Sequence, residues 1–198
     1  MHTLFRRLAA ITASVALVSG CTGGDTGSES VTADTPAAAA PAAHYMADMN
    51  RPAPKDADHE FLRMMIDHHE GMIQMGTAAM TRASTQPAKD DAHKLHTKQL
   101  DEQKQMQSMV SSNYGENVMP MIMPSDKAMN DTLQQKSGTD YDRTFYANVV
   151  QHHREGIQMM NDFESRVQRP DVKRMITRMK SDQQQEIGEL EAKIAQLR

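Results

Sequence analysis

The stretch Asp67–Met75 reads DHHEGMIQM, and 84 residues later the chain writes QHHREGIQMM from Gln151 to Met160. At the same offset Asp58 falls on Asp142, Phe61 on Phe145, His68-His69 on His152-His153 and Ile73-Gln74-Met75 on Ile157-Gln158-Met159. So many matches over so few positions mark a duplicated unit. About a helix axis at roughly 100° per residue, Met65, His68, His69, Met72 and Met75 fall on one arc with Phe61, Leu62 and Ala79. Glu60, Arg63, Asp67, Glu70 and Gln74 occupy the opposite arc, which reads as the solvent face. Both histidines of each copy therefore lie within an apolar stripe, an expensive place for imidazole unless its nitrogens are engaged.

Working outward, the first helix runs over about 56–82. STQPAKDD breaks it, and Pro87 suits the first turn of a second helix over about 88–112. NYGENVMPMIMPSD has no helical period and reads as the start of a crossover, 113–138. Thr139 with Asp142 resembles a capping box opening a third helix. Pro170 starts a fourth, where Val172, Ile176, Met179, Gln183, Ile187, Leu190, Ile194 and Leu197 keep the 3–4 spacing. Two hairpins, 56–112 and 139–198, bury such stripes together as an all-α four-helix bundle.

Ahead of this domain, residues 1–20 have the form of an export signal: Arg6 and Arg7, then an apolar run from Leu8 to Val18 too short to span a bilayer. VSGC, Val18 to Cys21, resembles the lipobox of bacterial lipoproteins. That resemblance implies lipid on Cys21, the chain's only cysteine, and hence a membrane-anchored envelope protein without disulfides. Residues 21–55 are rich in Ala, Pro, Gly, Ser and Thr and read as a tether. A flexible coil of that length spans roughly 30–35 Å. Without residues 1–20 the chain carries 20 Lys+Arg against 26 Asp+Glu, so nothing basic points to nucleic acid.

The chain has 18 methionines and no tryptophan. Thioethers cannot be protonated and favour Cu(I) or Ag(I) over hard cations, and imidazole suits copper as well. His68 with Met72 and Met75, His152 with Met159, and His153 with Met160 recur at i+4 or i+7, so one helix face offers both donor types. Supplementary donors are Met65, His44, Met46 and Met49 just before the domain, and Met119, Met121 and Met123, which alternate and, if extended, point one way. A methionine stripe at helical spacing also serves as plain core, and Met72 aligns with Gly156, so the two half-sites are unequal.

HHEGMIQM and HHREGIQMM, each on the first helix of a hairpin behind an export signal, resemble the bacterial domain-of-unknown-function family 305 (DUF305). The resemblance covers residues 56–198. It implies a ferritin-like four-helix bundle in the cell envelope, with copper as the bound metal and Ag(I) as a surrogate. From the donor set together with the resemblance, the chain is expected to bind copper for sequestration, buffering or transfer, with a copper-handling partner protein, rather than to catalyse a reaction. Two other readings stand beside it. One is a metal-free envelope interaction module. The other is a di-iron oxidase, which needs a Glu-x-x-His motif from each of two helices; the chain has none.

Overall fold

Asp58 and Asp142, the first matched pair of the duplication, explain how the hairpins hold each other. The computed structural model describes residues 51–197. Four long helices, α1 (Ala57–Arg82), α2 (Gln86–Tyr114), α4 (Gly138–Glu164) and α5 (Pro170–Gln196), pair as hairpins α1–α2 and α4–α5. Asp142 on α4 accepts hydrogen bonds from Ser84 N (2.6 Å), Thr85 N (3.0 Å) and Thr85 Oγ1 (2.7 Å), in the turn of the other hairpin. Asp58 on α1 does the reverse, accepting from Gln168 N (3.0 Å) and Arg169 N (3.1 Å) in the α4–α5 turn. Each carboxylate satisfies backbone donors that a helix start leaves open. The local Thr139–Asp142 capping box is thereby displaced: the N-cap of α4 is Ser137, without a side-chain bond.

The remaining boundaries follow local chemistry. Asp56 caps α1 by accepting from His59 N at 2.8 Å. Thr85 caps α2, and Gly115, at φ 70°, ends it in the left-handed conformation that glycine adopts without penalty. Pro170 begins α5, where no backbone donor is missed.

The crossover is less plain than its prolines suggest. A fifth, short helix, α3 (Pro124–Gln134), lies within 113–138 and packs on α1 and α4 through Asp126, Met129, Asn130 and Leu133. The segment before it covers what reads as the solvent face of α1. Asp67 is fully buried, ion-paired with Arg51 and accepting from Met121 N at 2.8 Å; Arg63 is fully buried and donates to Pro52 O at 2.8 Å. Those bonds orient the strap's backbone, so its methionines do not share a face. Met119 (78% exposed) and Met121 (42%) stand in solvent, whereas Met123 turns into the core.

Between the helices the core forms two separate apolar clusters. One gathers Phe61, Leu62, Met65, Met106, Phe163 and Met179; the other gathers Met72, Met75, Leu95, Phe145, Val149 and Ile187. Along every long helix the buried side chains lying between the two clusters in sequence are polar, among them His68 and His69, Gln99 and Glu102, His152 and His153, and Gln183. The bundle is divided at mid-height by a polar layer.

Candidate metal centre

His68 and His152, equivalent positions of the duplication, meet face to face in that layer, with ring centroids 3.8 Å apart and planes 22° from parallel. His69 and His153 flank them, and none of the four rings is exposed. Gly156 makes the stack possible, since a Cβ there would lie 3.0 Å from His68 Cε1 and 2.9 Å from Gln183 Oε1. The glycine that replaces a methionine in the second repeat thus clears room for the first repeat's imidazole.

Three of the four rings are held from one side by carboxylates. His152 Nδ1 lies 2.9 Å from Asp126 Oδ1, His69 Nε2 lies 3.1 Å from Glu102 Oε2, and His153 Nε2 lies 2.9 Å from Glu186 Oε2. In the two hydrogen-bonded pairs, His152–Asp126 and His69–Glu102, the ionised carboxylate accepts, which fixes the proton on the facing nitrogen and leaves the lone pair on the other; the His153–Glu186 contact is close but not aligned as a hydrogen bond. Those other nitrogens, His152 Nε2, His69 Nδ1 and His153 Nδ1, have no partner, and neither nitrogen of His68 has one. Both side-chain polar atoms of Gln183 and Oδ2 of Asp126 are likewise unpartnered. Buried polar atoms are rarely left alone, so this cluster of orphans sets the layer apart from the rest of the core.

Electrostatics keeps the stacked pair neutral. Burial, reinforced by neighbouring imidazoles, holds His68 and His152 well below the ordinary histidine pKa. Burial also pushes Asp126 up to about 6. Burial acts to raise Glu186, but its contacts with His153 and Lys98 outweigh this and leave it below its ordinary value. Neutral imidazoles with fixed tautomers and free lone pairs are what a metal needs, and carboxylate partners on the opposite ring nitrogen are the usual means of orienting them.

Among the described residues no three histidine, cysteine or carboxylate donors converge where they could hold a metal. Thioethers lie close in sequence. Met72 and Met75 belong to the apolar cluster on one side of the layer, Met160 and Met65 to the cluster on the other, and Met159 is half-buried against the latter. His44, Met46, Met49 and Cys21 lie outside the described residues.

Sequence reasoning missed Asp126, Glu102, Glu186 and Gln99, and gave Gln183 a place in the stripe of α5 but not in the site. The signal for four of them was present, because the 84-residue offset places Gln99 on Gln183 and Glu102 on Glu186. It also missed Gly71. A Cβ there would lie 2.3 Å from Asp126 Cγ, so only glycine lets α3 lay its carboxylate across α1 to His152.

The model of the family described as "Domain of unknown function (DUF4142)" matches residues 43–192. The chain belongs to the DUF4142 family. Solved structures titled DUF305 share the fold of this DUF4142 chain. One is a DUF305 fragment from Deinococcus radiodurans, with 20% identity, TM-score 0.64, and coverage of 74% of this chain and 100% of that one. A DUF305 protein from Streptomyces coelicolor has 21% identity, TM-score 0.62, and coverage of 70% and 90%. CopM in its Cu(II)-bound form has 21% identity, TM-score 0.61, and coverage of 73% and 99%. CopM structures in Cu(I)-bound, Ag-bound and apo forms match as well. The DUF305 resemblance carried by the paired His-His motifs is thus met by the fold. No curated protein matches this DUF4142 chain.

Proposed function

We propose that this chain binds a soft metal ion, Cu(I) before others, as a lipid-anchored envelope protein that sequesters, buffers or hands on its cargo rather than transforming it. One observation carries the reading: four buried imidazoles in a single layer, each with a ring nitrogen that no protein group engages. His68, His69, His152 and His153 supply nitrogen donors, and Met72 and Met75, at i+4 and i+7 from His68, supply thioethers. Asp126, Glu102 and Glu186 orient the rings from outside the donor set. The shared fold with copper- and silver-bound CopM supports the same reading.

Anaerobic titration of the full-length chain with Cu(I) tests it. Tight stoichiometric binding is expected, collapsing when His68, His69, His152 and His153 are replaced by alanine. Unchanged binding in that variant moves the site to the flanking methionines. A second reading, a metal-free interaction module, draws on the absence of a converging three-donor set among the described residues; a wild-type chain that takes up no Cu(I) leaves it standing.

A further inference from the structure

Between α1, α3 and the start of α4 lies a cavity of about 250 Å³. Gln74, Lys127 and Asp131 form its exposed mouth, and Met75, Asn130 and Tyr141 form its buried wall. The Tyr141 hydroxyl and Asn130 Oδ1 have no hydrogen-bond partner, although such groups seldom go unpaired when buried. Met75 is also the last rung of a ladder. His68, Met72 and Met75 share one helix face, and each is at most 1% exposed. At about 1.5 Å per residue the ladder is roughly 10 Å long.

We propose that this cavity is the port through which the soft ion reaches the histidine layer, with the Met75 thioether as its first protein ligand and Met72 as the next. The proposal rests on the soft-metal reading above. An ion passing from water into a bundle must shed its hydration shell, and the Met75 thioether on the buried wall offers a soft donor at that point. Lys127 does not oppose a cation at the mouth, because its ammonium is paired with Asp131 at 2.6 Å. The competing route is the groove between α2 and α5, lined by Thr97, Lys98, Glu102 and Arg178. It offers three carboxylates, three cations and one imidazole, His93, but no thioether, the donor a soft cargo favours.

Transfer of Cu(I) from a chromophoric chelator to the full-length chain, followed by stopped flow, separates the routes. Met75→Leu keeps the volume and removes the sulfur; Ala78→Leu, on the cavity wall, narrows the port and removes no donor. Each is expected to load at least about tenfold more slowly, and Ala78→Leu to reach wild-type stoichiometry at the end. Thr97→Leu is expected to load at the wild-type rate. Wild-type loading rates in both port variants, or slowing in Thr97→Leu alone, overturn the port. If Met75→Leu does not fold, Ala78→Leu decides. Should the wild-type chain take up no Cu(I), the soft-metal reading and the port fall together, and that result is seen without any variant.

Discussion

Replacing Gly71 by alanine adds a single methyl group to α1, and the structure assigns the change an unusual sign. In an open helix interior, Gly→Ala stabilises by about 1 kcal/mol. At Gly71 the new Cβ would lie 2.3 Å from Asp126 Cγ and 2.4 Å from Asp126 Cβ, with the short side chain of α3 unable to swing clear. Overpacking of this kind costs about 1–3 kcal/mol. Losing the buried His152–Asp126 hydrogen bond costs about 1.5–3 kcal/mol more. The net, after the helix gain of about 1 kcal/mol, is a destabilisation of about 1.5–5 kcal/mol, or roughly 3–20 °C in Tm for a domain of this size. Gly188 is the internal control: it sits exposed on α5 with nothing within 4 Å of an added Cβ. Gly188→Ala should therefore raise stability by about 1 kcal/mol. Denaturant unfolding of the three chains, with unchanged m-values, is the assay. A Gly71→Ala chain as stable as wild type would refute the placement of Asp126 across α1 and with it the carboxylate hold on His152.

Acidification should destabilise the metal-free protein. His68 and His152 have folded pKa values well below the unfolded value of 6.5, so the stability they contribute is full above pH 6.5 and is lost as pH falls toward their folded values. Asp126, raised to about 6, acts in the opposite sense between about pH 6 and 4, becoming favourable as it protonates. Two histidines outweigh one aspartate, and Asp126→Asn should steepen the acid loss, as denaturation midpoints across pH 4–7 will reveal. At the hairpin turns, Asp58→Ala and Asp142→Ala each leave backbone donors unpaired and should cost about 1–2 kcal/mol. Because each carboxylate serves a different turn, the double variant should show nearly additive loss by the same measurement, and strong non-additivity would contradict independent ties.

Helical periodicity was enough to place His68, His69, His152 and His153 inside, because an amphipathic face is set by residues three and four apart. It failed where distant chain decides burial. Arg63 and Asp67 lie on a face that is polar by local pattern, yet Arg51, Pro52 and the strap ahead of α3 cover it. Asp142 offered a plausible local cap for α4, but the turn of the other hairpin supplies three donors in better positions. Helix α3 was obscured by Pro120 and Pro124 at its start, although Met129 and Leu133, four apart, already trace its buried side. The carboxylates behind the histidines are far from them in sequence, and only the duplication offset links Glu102 with Glu186.

The stack of His68 on His152 has the form of a contact made across a twofold axis, where a residue meets its own copy. Each hairpin stands to the other as one subunit of an isologous dimer, bound into a single chain by the crossover. In a true homodimer any substitution is made twice, and both halves of a shared site must remain alike. Covalent linkage removes that constraint. Asp126, borne on the connecting segment that no separate hairpin possesses, engages one imidazole and leaves its twin with both nitrogens open. Here the connection between two equal halves is itself what makes them chemically unequal.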